Sequence, residues 1–280
     1  MQGPELRHPA VAGRFYPSNP EILARHLENY VGCGASASEP QTEEKVANAI
    51  GCMVPHAGYI YSGHVAGAVY RRLPARSSYI ILCPNHFGRG APLAIMSKGA
   101  WLTPLGSVPI DSSLAQVASQ SCHLLAEDAN AHSDEHSLEV QLPFLQYLVK
   151  EFSFVPISIG AGGYAALESL GRGVARTVAN AGKPVLIIAS SDMNHYEPDD
   201  ITRLKDQIAI EKILALDPAG LYDVIRREDI SMCGYGPAVA LLTAARELGA
   251  KRAELVKYAT SADTSGDHST VVGYAGIVVS

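Results

Sequence analysis

Three apolar runs of this sequence each end beside a histidine that could bind a metal or carry a proton. His56 follows "GCMVP", His86 follows "YIILCPN", and Asp192 with His195 follows "VLIIASS". Imidazole ligates metals and exchanges protons near neutral pH. A single histidine after a strand can simply bind a backbone group and close a turn. The recurrence after three apolar runs favours one shared site.

An acidic segment, "DEHSLEVQLP", adds further groups at the predicted start of a helix. His136 and Glu139 are three residues apart, so they can lie on one helical face and share a proton or a ligand. We expect His136 to point into the same crevice, with Glu139 nearby. The alternative is structural, because acids at a helix start cap the first turn and complement the helix dipole.

One cysteine stands at a predicted helix start. Cys233 precedes Gly234 and Gly236 in "SMCGYGPAVALL". A helix N-terminus lowers a thiol pKa and favours the thiolate, which is the form that binds metals. The alternative is a small buried hydrophobe, and this is the preferred interpretation for Cys52 and Cys83, which lie inside strand-like runs.

Regular elements must hold these groups together, and the apolar pattern predicts an alternation of strands and helices. Strands are expected near 47–55, 78–83, 153–159, 184–190, 253–260 and 271–280. Helices are expected near 18–31, 63–73, 112–121, 137–151, 164–180, 199–215, 218–227 and 236–248. This alternation predicts an α/β fold for 1–280, as one domain with a mostly parallel or mixed sheet flanked by helices. Ligands of such sheets bind beyond the carboxyl ends of the strands, where the histidines lie.

Three segments are less regular. Residues 32–44 are rich in Gly, Ser and acids and predict a surface loop. The chain after 83 has no clear period before the helix at 112. Pro143 interrupts the helix at 137–151, so it either kinks that helix or begins its second part.

Composition limits the class of protein. Of 280 residues, 47% are hydrophobic and 18% are charged, which allows a large core. The net charge is −6 and no Lys or Arg run occurs, so nucleic acid and anionic membranes are poor partners. No signal peptide or membrane span is visible, and five irregularly spaced cysteines suit reduced thiols. We expect a cytoplasmic protein.

Six motifs together make the sequence resemble the Memo family, called AmmeMemoRadiSam system protein B in bacteria and archaea. They occur in the family order and span almost the whole chain. They are "RHPAVAGRFYP" (7–17), "VPHAGYIYSG" (54–63), "CPNHFG" (83–88), "DEHSLEVQLPFL" (134–145), "SSDMNHY" (190–196) and "MCGYGP" (232–237). In "LCPNH" this chain has Cys83 where the family more often has glycine.

The resemblance implies the LigB-like fold of class III extradiol dioxygenases and a pocket at its crevice. Two histidines and a cysteine frame that pocket, and these are His56, His86 and Cys233. The residues carried over as further pocket groups are His136, Asp192 and His195. The expected aromatic wall is Phe15, Tyr16, Tyr59 and Tyr61, and Glu139 is included as a substrate-pocket residue.

Two imidazoles and a thiolate form a three-ligand site with open positions, which suits Fe(II), copper or zinc. Fe(II) or copper is expected first, because thiolate favours soft metals and the fold relatives use iron. His136 or His195 would move protons, while Asp192 would orient a histidine or act as a base. Metal affinity should fall as pH drops through the histidine range, near ~6.5.

Three classes of function stay open. The first is a metal-dependent redox enzyme, such as an oxygenase of a small aromatic or peptide-derived substrate. The second is a peptide-binding adaptor, and the third is a protein that sequesters iron or copper. The resemblance also implies radical SAM and AMMECR1-like pathway partners, which favours the enzyme for a prokaryotic chain. Turnover by metal-loaded protein would separate the first class from the others.

Overall fold

The most apolar segments of the chain form the central strands of one large sheet. The structure, a computed structural model, describes residues 6–32, 45–160 and 162–280. The strands are β1 (Leu6–Arg7), β2 (Gly51–Val54), β3 (Ser78–Pro84), β4 (Leu93–Ile95), β5 (Ala100–Thr103), β6 (Gly106–Pro109), β7 (Ala126–Glu127), β8 (Ser153–Ile159), β9 (Val185–Ser190), β10 (His195–Glu197), β11 (Ala253–Thr260) and β12 (Val271–Val279). The helices are α1 (Pro20–Gly32), α2 (Tyr59–Tyr70), α3 (Ser112–Ser121), α4 (His136–Glu139), α5 (Leu142–Leu148), α6 (Tyr164–Ala179), α7 (Asp199–Leu214), α8 (Pro218–Arg227), α9 (Tyr235–Glu247) and α10 (Ala262–Ser265), with a 3₁₀ turn at Ala129–His132.

The large sheet is mixed, which confirms the predicted α/β class. Its order is β10-β12-β2-β9-β3-β8-β4-β7, with β11 also paired to β12. The four central strands β2, β9, β3 and β8 are parallel, and antiparallel β12 and β4 lie on either side of them. Every residue of β2, β3 and β9 is buried. Burial on both faces explains why these strands are continuous apolar runs rather than alternating patterns.

Helices cover both faces of the sheet. On one face α6 and α9 pack together, with Leu170 and Leu241 among their fully buried side chains. On the other face α1, α2 and α5 pack together, with Leu27 and Phe144 in that core. Each fully buried side chain of this size stabilises the fold by about 1.5–3 kcal/mol relative to an exposed one. The small sheet β1-β5-β6 lies on this second face through Trp101.

Strand order brings the predicted site residues to one edge. Strand β9 lies between β2 and β3, and Val54 is level with Ser190 in the β2–β9 pair. His56, Asp192 and His86 each stand two residues beyond the end of one of these three strands. Because neighbouring strands are only about 4.8 Å apart, the three loops leave the sheet side by side.

Two elements have bounds that differ from those predicted from the sequence. Strand β2 is limited to Gly51–Val54, and α2 begins at Tyr59 instead of residue 63. The sequence from 59 to 61 is aromatic and β-branched and so does not indicate a helix start, but long-range contacts hold the first turn. The backbone amide of Tyr59 donates to the Phe15 carbonyl, and its hydroxyl donates to the Val140 carbonyl.

The helix expected at 137–151 is divided in two. Pro143 lies in the first turn of α5, where its missing amide proton costs nothing. Of the two predicted alternatives, it therefore begins a second helix and does not kink a single one. The region after β3 contains four strands that the pattern did not predict. They have two to four residues each, too few to establish a period, and they are β4, β5, β6 and β7.

The predicted loop at 32–44 lies outside the described residues, apart from Gly32 at the end of α1. Within the described part of the chain, every helix is too short or too polar to cross a bilayer.

Candidate metal centre

Three potential metal ligands from distant parts of the chain converge beyond the sheet edge. One ligand atom each of His56, His86 and Cys233 lies within 4.8 Å of the other two. The Nε2 atom of His56 is 3.2 Å from the Sγ atom of Cys233. In a tetrahedral zinc site, nitrogen and sulfur ligands would be about 3.6 Å apart, given metal–ligand lengths of about 2.05 and 2.3 Å. The donor types and their spacing therefore fit a metal ion.

The hydrogen bonds around His56 fix which ring nitrogen carries the proton. Its Nδ1 is 3.0 Å from Ser190 Oγ. That hydroxyl donates its only proton to the Ser137 carbonyl, and Gln141 Nε2 donates to the same oxygen. Ser190 must therefore accept from His56 Nδ1–H, which leaves the lone pair on Nε2 beside Cys233. Burial, followed by the nearby histidines, lowers the His56 pKa well below its usual value, so the ring is neutral, as a metal ligand must be.

A buried carboxylate orients His86 in the same way. Glu135 accepts from His86 Nδ1 at 2.9 Å and from the His86 backbone amide at 2.7 Å. Burial alone would raise the Glu135 pKa, but hydrogen bonds from His86 and Ser137 outweigh it and hold the pKa at about 2. An ionised carboxylate only accepts, so Nδ1 of His86 is protonated and Nε2 is the nitrogen left to ligate a metal. Carboxylates in this position tune metal-binding histidines in many proteins.

Ser137 connects the two histidine supports. Its backbone amide and hydroxyl donate to Glu135, at 2.9 and 2.6 Å, and its carbonyl accepts from Ser190. These supporting residues were not predicted as part of the site from the sequence. The available signal was weak: Glu135 is two residues before Ser137, a spacing typical of a helix cap, and Ser190 ends an apolar strand. Only the fold shows that both turn toward the histidines.

Cys233 is held where helix α9 begins against the end of β9. Gly234 caps α9, and a side chain there would lie 2.4 Å from the Ser190 carbonyl oxygen. Glycine thus allows the helix start, and Cys233 with it, to reach the sheet edge. The surroundings of Cys233 do not favour the low thiol pKa expected at a helix start. Burial, and then the charge of Asp192, raises the Cys233 pKa well above its usual value.

Asp192 supports the loop that carries His56. Its Oδ1 accepts from the backbone amides of His56 at 2.7 Å and Ala57 at 3.3 Å. Its Oδ2 is 3.9 Å from His56 Nε2. Burial raises the Asp192 pKa. This carboxylate can therefore position His56 and exchange a proton at the cavity wall.

His136 lies flat against His86. Their ring centroids are 4.7 Å apart with planes inclined by 21°, and the Phe15 ring centroid lies 4.7 Å from that of His136. Its Nδ1 is 3.7 Å from Glu135 Oε1, so any direct interaction there is weak. Burial lowers the His136 pKa. A largely neutral imidazole facing the cavity can accept a proton from a bound ligand.

His195 is fixed by a serine that the sequence did not single out. The Ser231 carbonyl is 2.9 Å from His195 Nδ1, and the Ser231 hydroxyl accepts from the His195 amide at 2.8 Å. A carbonyl only accepts, so Nδ1 carries a proton and Nε2 is left for acid–base exchange. Asn194 Oδ1 in turn accepts from Ser231 at 3.0 Å.

These groups surround a cavity of about 530 Å³. Its described lining contains four histidines, one carboxylate and one thiol, but no lysine or arginine. The lining residues are Phe15, His56, Ala57, Gly58, His86, His136, Asp192, His195, Tyr196, Ser231, Cys233 and Val272. The three predicted ligands and the three predicted catalytic residues are thus brought together.

Four of the five predicted substrate-pocket residues lie elsewhere, and only Phe15 lines the cavity. Glu139 is fully buried and binds the Arg7 guanidinium, and the Tyr16 hydroxyl donates to it at 2.6 Å. Tyr59 is also buried, with its hydroxyl on the Val140 carbonyl, and Tyr61 is exposed on the first turn of α2. The buried cation of Arg7 attracts Glu139 into the interior and away from His136.

Comparison with known proteins agrees with the motifs. The Memo-like protein family model matches residues 7–278. A MEMO1 family protein of Methanopyrus kandleri is 44% identical over 280 residues, covering 97% of this chain and 98% of its own. One from Pyrobaculum aerophilum is 45% identical over 276 residues, covering 98% of both chains.

The fold has a counterpart among solved structures. An uncharacterized protein of Escherichia coli K12 superposes with a TM-score of 0.57 at 15% identity, covering 80% of this chain and 98% of its own. At that identity the likeness concerns the fold alone. The family model and the archaeal relatives, which match almost from end to end, establish that this chain belongs to the Memo family.

Proposed function

We propose that this protein is a metal-dependent redox enzyme whose metal is held by His56, His86 and Cys233. The observation that carries the proposal is the convergence of these three donors, with both imidazoles oriented to offer Nε2. Fe(II) or copper is the metal proposed first, and zinc is the alternative, because a set of two nitrogens and one sulfur suits all three.

The open side of the site supports catalysis. Structural zinc sites surround the metal with four protein ligands, whereas catalytic sites keep a position for substrate. Here three donors face a cavity of about 530 Å³, and the remaining wall carries His136, Asp192 and His195 instead of a fourth close ligand.

Each cavity residue has a distinct role in this proposal. A bound metal would supply Lewis acidity and a site for redox change. His195 accepts or returns a proton at Nε2, because its Nδ1 is held by Ser231. His136 is the second proton acceptor, next to Phe15 and shielded from bulk water. Asp192 fixes the His56 loop through two backbone amides.

Metal titration tests the site. Anaerobic, reduced protein is titrated separately with Fe(II), Cu(I) and Zn(II), and binding is measured by competition with a chromophoric chelator. We expect about one metal per chain, and Cys233→Ser or His56→Ala should weaken binding by at least 10-fold. The matched controls are Cys122→Ser, a buried cysteine of the core, and His26→Ala on α1. Equal binding by wild type and both site variants would refute the site.

Turnover tests the class of function. Metal-loaded protein is supplied with oxygen and a panel of planar phenolic and peptide-derived compounds, and oxygen uptake is recorded. Uptake lost in His195→Gln, with metal content unchanged, supports an enzyme. Tight binding without any turnover would instead favour the sequestering role, and peptide affinity independent of metal would favour the adaptor. Family resemblance makes radical SAM and AMMECR1-like proteins the proposed pathway partners.

A further inference from the structure

Tyr196 has an unusual backbone at the mouth of the cavity. Strand β10 pairs with β12 through His195 with Val272 and Glu197 with Val271, so Tyr196 is one extra residue between them. Its φ is +63°, in the left-handed region that bulky side chains avoid. Such bulges redirect side chains and are frequent beside active sites.

Two other described non-glycine residues share this conformation, and their position explains it. Leu216 follows the end of α7, and Asp229 follows the end of α8. A left-handed residue just beyond a helix is the common way to end it. Tyr196 ends no helix, so this account does not apply to it.

Packing in the core does not explain why residue 196 is a tyrosine either. Its side chain is 77% exposed, yet Tyr196 lines the cavity beside His195, with ring centroids 5.5 Å apart. A glycine or asparagine would adopt this backbone with less strain and leave the core intact. A strained, exposed aromatic side chain at a cavity mouth calls for a partner outside the free protein.

We infer that Tyr196 is a specificity-determining residue whose ring stacks on a flat, uncharged group of the molecule that occupies the cavity. Phe15 and Val272 supply further apolar wall, and the described lining offers no lysine or arginine to neutralise an anion. Aromatic faces favour offset stacking on planar groups over contact with puckered ones. The inference deepens the proposed function, on which it rests for what happens at the metal end of the ligand.

The test uses metal-free, full-length protein and a matched pair of probes. Phenol and cyclohexanol have similar size and one hydroxyl, but only phenol is planar. Each is titrated into ¹⁵N-labelled protein while the backbone amides of Ala57, Ser231 and Val272 are followed. Wild type should bind phenol more tightly than cyclohexanol. Tyr196→Asn should weaken phenol roughly 2- to 12-fold, the range expected for one aromatic contact, and leave cyclohexanol unchanged.

A control separates the ring from its backbone. Asp229→Asn eases the same left-handed conformation at an exposed residue that is not part of the described cavity lining, and should leave both probe affinities unchanged. Tyr196→Asn should melt no lower than wild type, because asparagine tolerates this conformation. Unchanged phenol affinity in Tyr196→Asn, or no preference for phenol in wild type, would overturn the inference. A melting point several degrees lower would also overturn it, since the ring would then be structural. Because no metal is added, these outcomes are independent of the metal titration.

Discussion

Replacing Glu135 by glutamine tests whether the carboxylate, rather than the ligands alone, prepares the metal site. Glu135 accepts four hydrogen bonds from two residues, His86 and Ser137, at 2.6–2.9 Å. Glutamine offers one acceptor oxygen and an amide that only donates. Whichever way it turns, at least one buried donor meets another donor. If that donor is His86 Nδ1, the ring proton moves to Nε2, the nitrogen needed by a metal.

The magnitude follows from these contacts. Loss of such a supporting partner typically weakens metal affinity 10- to 100-fold, or about 1.4–2.7 kcal/mol. One unsatisfied buried donor costs about 1–3 kcal/mol of stability. The Glu135 pKa of about 2 adds a pH dependence. Since the folded pKa is below the usual 4.5, the Glu135 carboxylate stabilises the folded protein fully above pH 4.5. The unfolding free energy should fall by roughly 3 kcal/mol as pH falls toward 2.

Three measurements on Glu135→Gln check this reasoning. Zinc affinity is measured by chelator competition at pH 7, stability by urea unfolding, and the pH dependence by unfolding between pH 5 and 3. Ser137→Ala is the matched control, because it removes one donor to the same carboxylate and keeps both His86 contacts. It should leave zinc affinity within about 3-fold of wild type.

Two outcomes for Glu135→Gln would refute the proposed role of the carboxylate. If Glu135→Gln binds zinc as tightly as Ser137→Ala, the carboxylate does not orient His86 for a metal. If the variant retains the acid dependence of wild type below pH 4.5, then Glu135 is not the group responsible for it.

Further predictions concern groups away from the ligands and the thiol itself. Burial raises the Asp206 pKa to about 7, so the stability that Asp206 contributes should fall by about 1.4 kcal/mol per unit as pH rises from 4 to 7. In urea melts, the unfolding free energy of wild type should therefore fall relative to that of Asp206→Asn over this range. Arg7→Met leaves the Glu139 carboxylate buried without its cation, and should lower the free energy of unfolding in denaturant by about 3–5 kcal/mol. A loss below about 1 kcal/mol would contradict a buried ion pair. Metal affinity should keep rising above pH 7, by up to about tenfold per pH unit, because the Cys233 thiol must lose its proton to bind the metal. In Cys233→Ser, metal affinity measured by chelator competition should depend less steeply on pH.

The sequence alone was sufficient to predict the strands that are buried on both faces of the sheet. Strands β3 and β9 are buried at every position, so they appear as apolar runs whose ends, and the histidines after them, are easy to locate. The order of strands was not readable, because β9 pairs with β2 and β3 across more than a hundred residues. That order is what places His56, His86 and Asp192 together.

Two glutamates show how the sequence missed one site residue and misplaced another. Glu135 and Glu139 lie in the same acidic segment, and the i, i+3 spacing of His136 and Glu139 made the second the better candidate. The structure exchanges their roles, because Arg7, more than a hundred residues away, binds Glu139 in the core. Helical spacing predicts which side chains can share a face, but a buried charge goes where its partner is.

Cys233 shows how two physical effects compete at one residue. A helix N-terminus stabilises an anion by about 0.3–1 kcal/mol, and the start of α9 offers that stabilisation. Burial of an unpaired thiolate costs several kcal/mol, and Asp192 adds repulsion, so the balance favours the neutral thiol. His56 is pushed the same way, toward its neutral form, by burial and by the nearby histidines. A neutral His56 beside a protonated thiol supplies no positive charge to a thiolate, and a metal cation that displaced the thiol proton would compensate that charge. Burial opposes the thiolate, the reactive form of Cys233, and thus makes that form depend on a cation.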